Sequence, residues 1–189
     1  MQFENLQRAI RENIATTETL LSQMETIESI CEAVVTCLQR GGKLLTAGNG
    51  GSAAEALHMS EELVGRFRGN RRSLPAVALV ADTTALTCIA NDFGYDAVFS
   101  RQIEGLGREG DLLVVFSTSG NAVNLRRAID AARAGGMQVV ALLGRDGGAL
   151  AGLADHELIV SGHATERIQE AHQLLLHMVL DAVERSFSE

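Results

Sequence analysis

The sequence predicts an α/β fold in which a five-stranded parallel sheet lies between two layers of helices. From Lys43 onward, short apolar runs alternate with longer segments of helical periodicity. The runs are apolar throughout, as expected for parallel strands that are buried on both faces. A unit of glycine, strand and tight turn also recurs weakly along the chain. These observations predict a single doubly wound domain over residues 1–189. Its three layers are helices, sheet and helices (α-β-α), and its strand order is flavodoxin-like.

The N-terminal segment, residues 3–40, is predicted to be helical. A break near Glu25-Thr26 divides it, and Gly41-Gly42 ends it as a C-terminal glycine would. We expect residues 1–40 to pack on other helices or on another subunit, and residues 41–189 to form the α/β core. The apolar residues that recur at helical spacing are Leu6, Ile10, Ile14, Leu20, Leu21, Met24, Ile27, Ile30 and Val34.

The remaining elements follow from the alternation of apolar runs and helical patterns. The predicted strands are 43–47, 76–80, 112–116, 138–143 and 157–160. The predicted helices are 52–66, 83–90, 96–107, 121–134, 148–153 and 165–187.

Composition and charge exclude several classes of protein. Apolar residues make up 46% of the chain, which argues against disorder. The net charge of −8 argues against a nucleic-acid or anionic-membrane binder. The three cysteines form no CxxC pair, so we expect buried, reduced thiols. The sequence has neither a signal-like N-terminus nor an apolar run that could span a bilayer, and we expect a cytoplasmic protein.

One segment is basic, although the chain as a whole is acidic. Four arginines fall between residues 66 and 72. We interpret this run as a solvated basic loop, with phosphate steering and a subunit contact as alternatives.

Two loops of small residues each follow an apolar strand directly and precede a helix. The first is Gly48-Asn49-Gly50-Gly51-Ser52 and the second is Ser117-Thr118-Ser119-Gly120-Asn121. Free backbone N–H groups and the positive end of the helix dipole make such a turn an anion site. Both loops follow the carboxyl ends of strands, so they can share one cleft. The pair predicts a small phosphorylated metabolite held from two sides.

A dinucleotide site is the alternative for the first loop, because Gly48-x-Gly50-x-x-Ala53 partly matches that fingerprint. The fingerprint requires an acidic residue about 20 positions further on. The nearest candidate, Asp82, lies 32 residues after Gly50, which disfavours this interpretation.

Four polar residues are candidates for chemistry. His58 and Glu62 are four residues apart on the helix after the first loop, which suits a shared metal ion or a proton-transfer pair. Gln169 and His177 interrupt the apolar pattern of the last helix, and polar groups there need an explanation. The alternatives are a surface hydrogen bond between His58 and Glu62 and a satisfied core histidine at His177. His172 points away from His177 and is interpreted as structural.

The sequence resembles the sugar isomerase (SIS) family and, within it, the phosphoheptose isomerases. The resemblance begins with the segment from Gly48 to His58 and continues with Glu61-Glu62-Leu63. It covers nearly the whole chain in the same order. The further matching segments are Asn91-Asp92-Phe93-Gly94-Tyr95, Phe99-Ser100-Arg101, Ser117 to Asn121, Asp146-Gly147-Gly148 and Arg167-Ile168-Gln169-Glu170.

The resemblance implies a single SIS domain that converts sedoheptulose 7-phosphate to D-glycero-D-manno-heptose 7-phosphate, the first step toward activated heptose for lipopolysaccharide or another glycan. It implies Glu62 and His177 as the acid–base pair, and a homotetramer with active sites at subunit interfaces. It also implies one zinc ion per site, held by His58, Glu62, Gln169 and His177. The implied substrate contacts are Asn49, Gly50, Gly51, Glu62, Asn91, Asp92, Ser117, Thr118, Ser119 and Gln169, to which the anion-site argument adds Ser52.

Two positions leave questions open within the resemblance. The second loop of the family usually continues Gly-Asn-Ser, whereas Ala122 follows Asn121 here, so one hydroxyl donor to the phosphate is missing. We expect weaker phosphate binding or a shifted pose. Asp92 either orients substrate hydroxyls or caps the turn before Phe93.

Two other functions remain as alternatives. One is a non-catalytic tetrameric scaffold of the kind that binds the replication initiator DnaA, which lacks the acid–base pair. The other is an isomerase, etherase or sensor for another phosphosugar. The presence of both Glu62 and His177 favours the enzyme.

Helix geometry adds an expectation about assembly. Gln169 and His177 are separated by about 12 Å along one helix axis, whereas zinc–ligand bonds are only about 2.0–2.2 Å long. We therefore expect one of the two to come from a neighbouring subunit. On this reasoning Glu62 and His177 meet across a subunit boundary.

Overall fold

The computed structural model describes residues 2–187, so Met1, Ser188 and Glu189 of the predicted 1–189 domain lie outside the described residues. The helices are α1 (Gln2–Glu18), α2 (Met24–Gln39), α3 (Gly51–Val64), α4 (Thr83–Phe93), α5 (Ser100–Leu106), α6 (Val123–Ala134) and α7 (Thr165–Phe187). The strands are β1 (Leu44–Gly48), β2 (Ala76–Ala78), β3 (Leu112–Ser117), β4 (Gln138–Gly144) and β5 (His156–Val160).

All five strands form one parallel sheet in the order β2-β1-β3-β4-β5. This confirms the predicted five-stranded sheet, its helical layers and its flavodoxin-like order. Gly48 pairs with Phe116 in the register of β1 with β3, so the loops after these strands leave the sheet at the same edge. The strand order therefore places both small-residue loops beside each other.

Alternation along the buried strands divides the core into two halves. Leu44 faces the layer built from α2, α3 and α7, whereas Leu45 faces the layer that contains α5 and α6. Both side chains are fully buried, as continuous apolar runs require in a sheet covered on both faces. The packing fixes α3 and α7 on one face of the sheet, next to each other.

Three predicted helices differ from the structure. The predicted break in the N-terminal helix falls at a 3₁₀ turn, Thr19–Gln23, whereas Glu25 and Thr26, where it was predicted, lie inside α2. In this turn the hydroxyl groups of Thr19 and Ser22 donate to carbonyls three residues back. The predicted helix 96–107 becomes a 3₁₀ turn followed by α5. The predicted helix 148–153 shrinks to one 3₁₀ turn, because Gly147 and Gly148 adopt positive φ angles of 81° and 54° that a right-handed helix cannot contain.

The arginine run is only partly solvated. Arg66, Arg68 and Arg72 are exposed, as interpreted from the sequence, but the side chain of Arg71 is fully buried. Arg71 forms an ion pair with Glu184 of α7 at 3.1 Å and donates to the carbonyl oxygens of Glu62 and Leu63 at 2.7 and 3.0 Å. The solvated interpretation is therefore wrong for Arg71, which joins the end of α3 to α7.

The expectation of buried thiols is correct for one cysteine and wrong for another. Cys37 is buried, Cys31 is half-buried and Cys88 is exposed, and all three are free. Cys88 is exposed because it lies on α4, a helix with no buried residues. Within residues 2–187, no helix is long and apolar enough to cross a membrane.

Candidate active site

The first loop places a polar cluster at the edge of the sheet where β1 ends. Gly50 has a φ of +59°, which lets the chain turn sharply into α3. The side chain of Asn49 exchanges two hydrogen bonds of 2.9 Å with the side chain of Asn124, at the start of α6. Tyr95 also donates to Asn49, again at 2.9 Å. These contacts join the first loop to the helix that follows the second loop.

The second loop is held by its own hydrogen bonds and by the segment after β4. The backbone N–H of Gly120 donates to Ser117 Oγ at 3.1 Å, and Asn121 Nδ2 donates to the carbonyl of Ser119 at 2.8 Å. Gly120 has a φ of +63°, and a Cβ there would lie 1.8 Å from the carbonyl oxygen of Gly147. The loop can therefore pack against residues 147–148 only with glycine at position 120.

His58 and Glu62 lie together on one face of α3. His58 Nε2 is 3.3 Å from Glu62 Oε1 and 3.9 Å from an oxygen of Glu61. The side chains of His58 and Glu62 are only 31% and 18% exposed, so the pair is not a fully solvated surface contact. The pair lies on α3, the helix that directly follows the first loop, as the sequence predicts.

His177 approaches His58 from α7 within the same chain. The two imidazole rings are 5.3 Å apart in an edge-on arrangement, and the ring of Phe67 stacks on His177 at 5.7 Å. Burial lowers the pKa of His177, and the neighbouring His58 lowers it further, while Glu62 acts in the opposite direction. The packing of α3 on α7 thus brings His177 beside His58, the neighbour of Glu62, within one chain, and the expectation that Glu62 and His177 meet across a subunit boundary stays a prediction.

Gln173 lies between the two histidines and was missed by the sequence reasoning. Its Nε2 is 2.7 Å from His58 Nδ1 and 3.1 Å from His177 Nε2. It sits one helical turn from both Gln169 and His177, and this shared polar face was the signal that could have found it.

Gln169 faces the first loop instead. A Cβ on Gly51 would lie 2.0 Å from Gln169 Nε2, so this amide rests directly against the start of α3. Gly51, His58, Gln169 and Gln173 all line one cavity of about 350 Å³. Gln169 therefore shares a cavity with His58 and Gln173, while its role in substrate contact and the expectation that a neighbouring subunit supplies one ligand stay predictions.

Asn91 and Asp92 lie on the exposed helix α4. Asn91 Nδ2 donates to Asp92 Oδ1 at 2.7 Å. Asp92 is inside α4, whereas Asp82 caps that helix by accepting from the N–H groups of Thr84 and Ala85 at 2.9 Å. The acid considered for a dinucleotide site thus has a helix-capping role.

His172 is buried and structural, as predicted. Its Nε2 donates to the carbonyl oxygen of Leu143 at the end of β4, at 3.1 Å. Its Nδ1 lies 3.8 Å from a carboxylate oxygen of Glu55, which is also buried.

One cluster in the described part of the chain has ligand atoms for a metal ion. Atoms of His58, Glu61 and Glu62 lie within 4.8 Å of one another. Zinc ions in proteins are coordinated by imidazole nitrogen and carboxylate oxygen atoms. The Nε2 atom of His58 faces the carboxylate of Glu62 on α3, and its Nδ1 atom faces Gln173 on α7.

Comparison with known proteins identifies the family. The SIS domain family model matches residues 6–144. The phosphoheptose isomerase of Sulfurimonas denitrificans is 47% identical to this chain, over 93% of this chain and 89% of that protein. The phosphoheptose isomerase of Pectobacterium atrosepticum is 45% identical and is covered over 99% of both chains. The chain belongs to the phosphoheptose isomerases of the SIS domain family.

Solved structures of phosphoheptose isomerases share the whole fold. The structure of phosphoheptose isomerase GmhA from Neisseria gonorrhoeae superposes with a TM-score of 0.92 at 42% identity, over 98% of this chain and 100% of that chain. A phosphoheptose isomerase structure from Francisella tularensis gives a TM-score of 0.94 at 33% identity, over 98% of this chain and 99% of that chain. Family membership makes the chain an isomerase, and the facing polar sides of α3 and α7 are its candidate active site.

Proposed function

We propose that this phosphoheptose isomerase interconverts sedoheptulose 7-phosphate and D-glycero-D-manno-heptose 7-phosphate, the first step toward activated heptose. The observation that carries the proposal is the juxtaposition of Glu62, His58 and His177 in one chain of a phosphoheptose isomerase. Aldose–ketose isomerisation moves a proton between C1 and C2 through an enediol. It requires one base for carbon and one acid–base group for oxygen.

The two catalytic roles follow from the chemistry of the side chains. The carboxylate of Glu62 takes the proton from one carbon and returns it to the other. The imidazole of His177 moves the proton of the neighbouring oxygen, and burial holds the pKa of His177 below its usual value. Both side chains are partly shielded, which strengthens their interaction with a developing charge.

The two loops supply the phosphate and hydroxyl contacts in this proposal. The two loops leave the sheet at the same edge, and N–H groups at the start of a helix such as α3 favour binding of a phosphate there. Because Ala122 offers no hydroxyl, we propose that this chain binds phosphate with fewer donors. The proposed substrate contacts are Asn49, Gly50, Gly51, Ser52, Glu62, Asn91, Asp92, Ser117, Thr118, Ser119 and Gln169.

A zinc ion is proposed as the cofactor. The donor types of His58, Glu62 and His177 fit zinc, with the amide oxygen of Gln169 proposed as the fourth ligand. The cluster of His58 with the carboxylates of α3 supports a cation at this place. A bound zinc ion would polarise the substrate carbonyl and stabilise the enediolate. Glu62 is then shared between the cation and proton transfer.

A cytoplasmic homotetramer is proposed as the working assembly, with residues 1–40 as its packing segment and the chain as one domain. Helix α1 exposes four large apolar side chains: Phe3 (81% exposed), Leu6 (59%), Ile10 (62%) and Ile14 (50%). An exposed apolar face of this kind is typical of a protein–protein interface. A separate groove of about 1010 Å³ lies between α2 and α7 and is lined at one end by His177. Burial of these surfaces against other copies would bring a subunit interface to the active site.

Turnover of the substrate tests the proposed function. The purified protein is incubated with sedoheptulose 7-phosphate and formation of the aldose is followed. We expect Glu62→Gln and His177→Ala each to lower turnover by about 10²–10⁴-fold. The exposed Glu109, which precedes β3 at the opposite edge of the sheet, provides the control variant Glu109→Gln, expected to match the parent protein.

Three outcomes would contradict the proposal. Unchanged turnover in either site variant would remove that residue from the mechanism. Much more efficient turnover of another phosphosugar would reject the substrate, and no turnover of any phosphosugar would favour a binding role. Removal of metal by a chelator, followed by zinc add-back, tests the cofactor.

A further inference from the structure

The loop of residues 65–73, between α3 and β2, lies against one face of α7. On that helix it meets His177, Asp181 and Glu184, which follow one another at spacings of four and three residues and therefore share a face. We propose that Phe67 of this loop is a positioning residue that holds the plane of the His177 imidazole ring.

Two arginines fasten the loop to α7. The guanidinium of Arg68 forms an ion pair with Asp181 at the surface. The side chain of Arg71 is fully buried and forms an ion pair with Glu184 at 3.1 Å. The first of these contacts is made by the residue directly after Phe67, so the position of its ring along α7 is fixed by the loop.

Arg71 also fastens the loop to the end of α3. Its guanidinium donates to the carbonyl oxygens of Glu62 and Leu63 at 2.7 and 3.0 Å. The segment that carries Phe67 is therefore held by both helices of the candidate active site. The ring of Phe67 is half-buried and packs against the core that these helices share with the sheet.

Stacking restrains a motion that the histidine side chain does not restrain by itself. The χ2 torsion of histidine has a broad minimum, so neighbouring groups set the plane of the ring. The rings of Phe67 and His177 are stacked, with centroids 5.7 Å apart and planes 25° apart. A nearly parallel ring at this distance opposes a tilt of the imidazole, because tilting drives one edge of the imidazole into it.

Two other neighbours of His177 restrain the ring less. Gln173 contacts a single ring atom, Nε2, at 3.1 Å, which leaves the plane free to tilt about that atom. The ring of His58 is nearly perpendicular, at 81°, and this arrangement gives a smaller contact area than parallel stacking. Phe67 therefore supplies the restraint on the plane that these two contacts do not.

The consequence for catalysis rests on the proposed function, in which His177 moves the oxygen proton of the substrate. A reacting group must be in place before the substrate arrives, and a misplacement of about 1 Å can cost about 100-fold in rate. Loss of an outer contact to such a group typically costs about 10–100-fold, so we expect Phe67→Leu to lower kcat by about 10-fold. KM should change much less, because Phe67 is not among the proposed substrate contacts.

The direct test measures the order of the His177 ring without substrate. The full-length protein is labelled with ¹³C at histidine Cε1, treated with a chelator so that no bound cation holds the ring, and studied by ¹³C relaxation. We expect the order parameter of the His177 Cε1–H bond to be about 0.85 in the parent protein and below about 0.6 in Phe67→Leu. Phe67→Tyr keeps the aromatic face and should keep both this order and kcat.

A matched control lies at the end of the same helix. Phe187 packs against the same core, and Arg72 of the loop lies over its ring at 5.3 Å. It is ten residues beyond His177, which is about 15 Å along the helix axis. Phe187→Leu should therefore leave the order of His177 and kcat as in the parent protein. Phe67→Met repeats the test if the leucine variant does not fold.

The proposal is overturned if the folded Phe67 variants without an aromatic ring keep the parent order of His177 or the parent kcat. It is also overturned if Phe187→Leu lowers both as much as Phe67→Leu, because the effect is then a general loss of packing. Failure of the parent protein to turn over sedoheptulose 7-phosphate would reject the proposed function. The order parameter, measured without substrate, would still decide whether Phe67 holds the ring.

Discussion

The buried ion pair between Arg71 and Glu184 gives a prediction whose size follows from the structure. The Arg71 side chain is fully buried and that of Glu184 is 9% exposed. Replacing Arg71 by methionine keeps the packing volume but removes the guanidinium that pairs with the buried carboxylate of Glu184. It also removes the donors to the carbonyls of Glu62 and Leu63. Loss of one partner of a buried pair typically costs about 3–5 kcal/mol.

This cost converts to a shift in melting temperature. For a protein of this size, 1 kcal/mol corresponds to about 2–4 °C, so we expect Arg71→Met to lower Tm by about 6–20 °C. The assay is thermal unfolding followed by circular dichroism. The control is Arg66→Met in the same loop, where an exposed arginine is expected to change the stability by no more than about 0.5 kcal/mol. Equal Tm values for the two variants would refute the structural role of Arg71.

Two further predictions concern the second loop and the thiols. Gly120→Ala should destabilise the protein by about 2–5 kcal/mol, because a Cβ 1.8 Å from the backbone of Gly147 adds overlap to the strain of a positive φ. Gly41→Ala, at a φ of +85° with open space around it, should cost only about 1–2 kcal/mol; similar losses in urea unfolding would contradict this. Burial raises the pKa of Cys37 to about 11, with Asp111 adding to the effect, so its alkylation rate should rise about tenfold per pH unit between pH 8 and 10. The exposed Cys88 should react faster at pH 8, and mass spectrometry of the alkylated peptides would reveal the reverse order if this is wrong.

The sheet and the two loops were predictable because their signals are local. A strand buried on both faces must be apolar along its length. The small residues after β1 and β3 indicate a tight turn into a helix. The parallel, doubly wound arrangement followed from the regular alternation of strands and helices. The single turn at Gly148 was over-predicted as a helix, because two adjacent positive φ angles are set by packing against the second loop.

The candidate site was only half predictable. The polar residues on α3 and α7 were found by spacing, since positions four apart share a face of a helix. Spacing could not decide which glutamine of α7 faces His58, because Gln169 and Gln173 lie on the same face. Their partners, Gly51 and His58, depend on how far α7 is shifted along α3.

The sequence by itself determined the architecture and the family, because these depend on local patterning and on motifs in a fixed order. Only the tertiary structure decided which side chains touch. The packing of α3 against α7 brought Glu62, His58, Gln173 and His177 together within one chain, and buried Arg71 in a run that looked solvated. The physical reason is that contacts between helices depend on their relative translation and rotation, which many buried residues set jointly and no single segment encodes.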